Sequence, residues 1–163
     1  MIGSVYANKQ DIKRAIIYFE KALRICEESN EPVYASMMES NIANMYFTLV
    51  DYESAYKHIA KGYEEMSKHP EHPFYSNLIA ILSISEAKIG KMDLAKKHGL
   101  IALKSAEKKG DLQAIVVANL ALGEVANSEK NYEDAKAYLS TSLELSEKYN
   151  MKQFIVLNSI GLM

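Results

Sequence analysis

The sequence predicts an all-α protein: about four helical hairpins stacked as a solenoid, followed by one final unpaired helix. Two series of small residues and a series of breaks predict it. Ala15, Ala55, Ala95 and Ala135 recur every forty residues, and Ala22, Gly62, Ala102 and Ser142 each follow seven later. Residues seven apart share a helical face two turns along, where small side chains let a neighbouring helix approach. Breaks between hairpins fall at Asn30, Pro70, Gly110 and Asn150, and breaks within hairpins near Gln10, Val50, Gly90 and Lys130. Asn and Gly suit the left-handed residue that ends a helix, and Pro cannot continue one. Three series on one period mark a repeat array.

The elements follow in order. Met1 to Asn8 reads as the tail of a helix already in mid-pattern. Ile12 to Glu28 is a second helix, with Ile16, Phe19, Leu23 and Cys26 at helical spacing. Ser29-Asn30-Glu31-Pro32 stops it, and Val33 to Leu49 forms the next. Asp51 reads as the N-cap of a helix from Tyr52 to Lys68. The run His69-Pro70-Glu71-His72-Pro73 breaks the chain before a helix over Phe74 to Ile89. Gly90-Lys91 turns into Met92 to Lys109, and Gly110-Asp111 closes that hairpin. Leu112 to Ser128, an Asn131 cap and Tyr132 to Tyr149 form the next, and Met151 to Met163 begins a ninth helix. The reading is one domain over 1–163, with units near 1–30, 31–70, 71–110 and 111–150 and a partial unit at 151–163.

Composition narrows the function classes. A net charge of −2 argues against a nucleic-acid binder and against an anionic membrane surface. No apolar run reaches the length of a membrane span and no signal-peptide pattern opens the chain, which points to the cytoplasm. Cys26 is the single cysteine, so an internal disulfide and a cysteine-rich zinc site are excluded. No phosphate-cradling glycine loop, Gly-x-Ser-x-Gly or His-Glu-x-x-His occurs, and no nucleophile, base and orienting group can be placed together. The expectation is a non-enzyme without cofactor or metal.

The residues around the small-residue series resemble the tetratricopeptide repeat family. Its pattern pairs Leu-Gly-x-x-Tyr on a first helix with Ala-x-x-x-Phe and a small residue on the second. Ile2-Gly3-Ser4-Val5-Tyr6 with Ala15, Phe19 and Ala22 fits, as does Ile42-Ala43-Asn44-Met45-Tyr46 with Ala55, Ile59 and Gly62. The third unit departs: Leu82-Ser83 and Glu86 stand for Leu-Gly and Tyr, and Gly99 replaces the aromatic. Leu122-Gly123, Ala135, Leu139 and Ser142 carry the fourth. The resemblance spans essentially the whole chain and implies a right-handed α-α superhelix. The family's usual period is about 34 residues, so each unit here is roughly six longer. Forty-residue versions resemble the repeats of bacterial peptide-pheromone receptors, of bacterial sensor kinases and regulators, and of some animal polarity scaffolds. The first unit lacks most of its first helix, and no charged residue follows Lys152 near the apolar end. The expectation is a segment of a longer bacterial regulator or sensor, or else an apolar end covered by a second copy.

By the resemblance, first helices line a concave groove, and their inward positions bind peptide. Repeat register assigns Asn41, Asn44 and Phe47 in the second unit, then Asn77, Ile81, Ile84 and Lys88 in the third. Val117, Leu120, Glu124 and Asn127 follow in the fourth. Asparagine both donates to and accepts from a peptide backbone, and the aliphatic residues would supply an apolar floor. The plainer alternative is solvated asparagines and aliphatics packed between repeats. The carboxylate clamp of chaperone-binding members is not expected, because Asn77 and Ile81 stand where basic residues belong. His58 and His98 occupy equivalent positions in neighbouring second helices, about 10 Å apart, with no metal-ligating partner at ligand spacing on the same face. They read as surface or packing residues, as do His69 and His72. Lys91, Lys96, Lys97, Lys104, Lys108 and Lys109 read as a solvated lysine face.

The leading function is therefore a protein- or peptide-binding module. The alternatives are a ligand-sensing regulatory segment of a larger signalling protein or transcription regulator, and a self-assembling structural segment. The expected partner is a protein or peptide segment, with no direct nucleic-acid or membrane partner and with homodimerisation through the terminal helix open.

Overall fold

The computed structural model describes residues 2–8 and 11–151, all helices and turns, with no strand among them. The predicted ninth helix over 151–163 and the predicted break at Gln10 lie outside the described residues. Two compact units divide the chain, 1–74 and 75–163. In the first unit α1 is Ile2–Asn8, α2 Ile12–Glu28, α3 Pro32–Thr48 and α4 Tyr52–Met66. Each of these packs on the next. In the second, α5 is Tyr75–Lys88, α6 Met92–Lys109, α7 Leu112–Ser128 and α8 Tyr132–Lys148. There α5 packs on α6 and α7, α6 on α7, and α7 on α8.

The ends of the helices explain the constant step. Asn30, Val50, Gly90, Gly110, Lys130 and Asn150 all have positive φ, between 53° and 80°. The residue after each donates its backbone N–H five residues back: Glu31 to Cys26, Asp51 to Tyr46, Lys91 to Glu86, Asp111 to Ala106, Asn131 to Ala126 and Met151 to Ser146. This is the Schellman closure, which satisfies carbonyls that the helix leaves open and turns the chain back. Pro70 falls at the corresponding position between Val50 and Gly90, but its ring locks φ near −65° and bars the left-handed conformation. Accordingly α4 stops at Met66, short of the expected Lys68, and a longer connection runs to Tyr75. Four helix starts share one cap: Asp11, Asp51, Asp111 and Asn131 each accept from the backbone N–H three residues on. Pro32 opens α3 one residue earlier than expected, at a first-turn position where its missing N–H costs nothing.

Small residues set how near the helices come. Ala15, Ala55, Ala95 and Ala135 are 0–2% exposed. Gly62, Ala102 and Ser142 are buried as well, and Ala22 is half-buried. Ser142 uses the close approach to donate to the Val116 carbonyl of α7 at 2.9 Å. A second size rule accounts for the aberrant third unit. In the outer units a glycine on the first helix faces a large side chain on the second. A Cβ built on Gly3 would lie 2.9 Å from the Phe19 ring, and one on Gly123 would lie 2.7 Å from Leu139. In the third unit the sizes are exchanged: Ser83 stands on the first helix and Gly99 on the second. A Cβ on Gly99 would come within 2.9 Å of Ser83 Oγ and 3.0 Å of Leu122. The Ser83 hydroxyl then donates to the Ala95 carbonyl at 2.7 Å, so it is not buried unpaired.

Two outcomes follow. Gly99→Leu alone should destabilise the protein by about 1–3 kcal/mol through overpacking. Ser83→Gly in that background should restore part of the loss, read as a non-zero coupling in a double-mutant cycle of urea unfolding. Val50 is β-branched, has φ 61° and is 66% exposed. Val50→Gly should therefore raise stability by about 0.5–1 kcal/mol, the left-handed strain relieved exceeding the entropy that glycine adds to the unfolded chain. An unchanged or lower melting midpoint would contradict this.

Candidate functional site

The residues assigned to a binding surface divide into two groups by burial. Asn41, Asn44 and Phe47 are half-buried on α3, and Lys88, Glu124 and Asn127 are half-buried on α5 and α7. Asn77, Ile81, Ile84, Val117 and Leu120 are 4–7% exposed. These five have little surface to present. The reason is visible in α5, where every residue from Ser76 to Ala87 is buried. A helix buried on all sides belongs in an interior rather than on a groove wall.

Within the C-terminal compact unit, Lys88 donates its ammonium to Glu124 across the neighbouring first helices α5 and α7. Asn127 follows Glu124 by one turn of α7, so two predicted polar positions lie on one stripe. Within the N-terminal compact unit, Asn41 and Asn44 are one turn apart on α3, and Phe47 packs edge-on against Tyr52, with ring centroids 5.0 Å apart. Each unit thus presents its own polar first-helix patch.

The histidines are more than packing residues. His58 Nδ1 lies 2.7 Å from Glu39 Oε2, and Lys61 Nζ lies 2.6 Å from the other oxygen of the same carboxylate. Lys61 also reaches Glu27 on α2 at 3.2 Å. Burial raises the Glu39 pKa, but the His58 and Lys61 contacts outweigh it and hold the carboxyl below its ordinary 4.5. Contact with Glu39 leads the causes that raise the Lys61 pKa. In the third repeat His98 Nδ1 faces both oxygens of Glu86, at 2.8 and 3.0 Å, with both residues buried.

Sequence reasoning missed these pairs by searching only the histidines' own helix. The register carried a signal for one of them. Positions 6, 46 and 86 face positions 18, 58 and 98, and in the first unit Tyr6 stacks on Tyr18 with centroids 5.2 Å apart. Tyr46 stacks on His58 at 5.4 Å. Glu86, an acid where the pattern has tyrosine, therefore faces His98. Glu39 occupies a different repeat position, and no spacing rule pointed to it. Among the described residues no group of three His, Cys, Asp or Glu side chains is placed to hold a metal ion. Nor is any helix there long and apolar enough to cross a membrane.

Antiparallel helical pairs on a constant step, closed by the same turn and spaced by the same small residues, define a helical-repeat protein. The comparisons agree. Residues 1–29 and 116–149 match the family model of the tetratricopeptide repeat. Among solved structures, BtubC (BKLC) from P. vanneervenii is similar with a TM-score of 0.72 at 16% identity, over 91% of this chain and 62% of that one. The apo form of RapI is similar with a TM-score of 0.69 at 21% identity, over 99% of this chain and 63% of that one. This chain thus spans less than two thirds of either. No curated protein matches it in sequence. Tetratricopeptide repeats are thus matched over residues 1–29 and 116–149, within an all-helical repeat fold.

The Glu39 cluster makes a pH prediction. Its folded pKa is depressed, so its contribution to stability is present above the unfolded value of 4.5 and is lost as pH falls through the folded value. Urea midpoints measured downward from pH 5 should fall more steeply for the wild type than for Glu39→Gln. Parallel profiles would remove Glu39 from the acid response.

Proposed function

We propose that this chain is a non-enzymatic module that binds a protein or peptide segment through the first helices of its hairpins. The observation that carries the reading is the stripe of Asn41 and Asn44 on α3, half-buried and one turn apart. Side-chain amides so spaced donate to and accept from an extended backbone at once. Phe47, one turn further, supplies apolar contact beside them. In the C-terminal compact unit Lys88, Glu124 and Asn127 offer a charged counterpart, in which a partner's own charges would exchange with the Lys88–Glu124 pair. The setting is a repeat fold that generally serves protein interaction, and the similar RapI structure is described as an apo form. A ligand-sensing role within a larger regulator is consistent with the same surface, since the chain spans 63% of RapI. The cytoplasm remains the proposed compartment.

A peptide-library screen against the full chain supplies the ligand. Asn41→Ala with Asn44→Ala should then weaken its binding about tenfold or more, two lost hydrogen bonds at about 1 kcal/mol each. The melting midpoint should stay within a few degrees, because both side chains are partly solvated. Unchanged affinity would remove the α3 stripe from the site.

A further inference from the structure

On another face of α3 lies a cleft of about 360 Å³, walled by α2, the N-terminal half of α3 and α4. The α3 residues that line it are Pro32, Ala35, Ser36 and Glu39, one stripe at helical spacing. At about 100° per residue Asn41 is roughly 160° away around the helix axis, so this is not the first-helix patch. The lining carries five carboxylates, Glu27, Glu31, Glu39, Glu64 and Glu65, against two ammonium groups, Lys61 and Lys68. Leu23, Cys26 and Ala35 add an apolar wall.

Glu39 is the buried anchor, its side chain only 3% exposed. One oxygen is taken by His58 at 2.7 Å. The other is met by the Lys61 ammonium at 2.6 Å, yet it receives no hydrogen bond of proper direction. A buried carboxylate oxygen without a directed donor is costly, and a better-aligned N–H would relieve it. Lys61 also shows what the cleft admits. Its side chain is 59% exposed, and it carries an amine to Glu39 on four methylenes while leaning on Glu27. The pair is buried at Glu39 and solvated at Lys61, so the ammonium can swing into water while the carboxylate cannot.

We infer that this cleft binds a primary ammonium group on an aliphatic stem, which takes the place of Lys61 at Glu39. Peptide lysine side chains and free alkyl diamines share that chemistry. The net negative lining attracts either, and Leu23, Cys26 and Ala35 cover the stem. The inference is independent of the proposed first-helix surface, since neither Asn41 nor Asn44 lines the cleft.

The test is isothermal titration of the full chain, at fixed ionic strength, with 1,4-diaminobutane and with the peptide acetyl-Gly-Lys-Gly-amide. At least one probe should saturate at a single site. Saturation by the peptide alone assigns the site to a protein partner, and saturation by the diamine alone assigns it to a free amine. Lys61→Met removes the internal competitor and should tighten binding several-fold. Glu39→Gln should weaken it about tenfold or more, as expected for loss of a charge-assisted hydrogen bond. If circular dichroism shows that Glu39→Gln has lost its helices, Glu27→Gln at the exposed rim replaces it and should weaken binding measurably. Absence of saturation by both probes overturns the inference. So does a Lys61→Met protein that binds no more tightly than wild type, or a folded Glu39→Gln or Glu27→Gln protein that binds equally well.

Discussion

Each unit depends on how closely two helices can pack when one side chain between them is nearly absent. Interaxial distances of about 8–10 Å follow from the residues at the contact. Here the contact is held by alanines at 15, 55, 95 and 135, all at most 2% exposed. The third unit shows that the constraint falls on the pair rather than on either residue. Gly3 against Phe19 and Gly123 against Leu139 put the large member on the second helix. Ser83 against Gly99 moves it to the first. The space between the helices is filled either way, as dense packing requires. The exchange also changes chemistry, because a serine brought that close reaches the Ala95 carbonyl.

A constant step needs constant turns, and the turns override local preference to obtain them. Gly90 and Gly110 adopt positive φ freely, and Asn30 and Asn150 do so at modest strain. Val50 and Lys130 are poor choices, yet they take the same conformation. Closing the helix satisfies two backbone carbonyls and starts the next helix with its first N–H groups free for the Asp51 or Asn131 cap. The array can carry a strained residue because the repeat, not the residue, sets the turn. Where the left-handed conformation itself is barred, at Pro70, the turn fails and the connection lengthens.

Most of this architecture was legible in the sequence, because helix periodicity, caps and small residues act over a few residues. Asp51 and Asn131 were readable as caps, and both accept the expected bond. The surface was less legible. Register places Ile81, Ile84, Val117 and Leu120 on the predicted face, but it does not say whether that face is covered, and all four are buried. Asn41 and Asn44 stay partly open on the same reasoning. The family model matches the first and last units and passes over the middle, where Glu86 and Gly99 break the pattern. Those substitutions read as decay in one dimension and as compensated pairs in three.

The polar pairs show how an array of near-identical units acquires individual sites. In a repeat protein each unit answers chiefly to its neighbours, so one interior position can change chemistry without disturbing the rest. Position 18 of the first unit is a tyrosine stacked on Tyr6, and its equivalents are His58 and His98. Once histidine stands there, a buried carboxylate becomes tolerable nearby, because the imidazole satisfies one of its oxygens. The second unit supplies that carboxylate as Glu39 and the third as Glu86, from different turns of the first helix. The two results differ. Glu86 gives both oxygens to His98 inside the unit and is closed. Glu39 gives one oxygen to His58, its other oxygen is met by an exposed lysine, and the residue lines a cleft. The same histidine position therefore serves a closed pair in one repeat and, in the other, an acid that lines a cleft and is shared with an exposed lysine, and the turn from which the acid projects decides which.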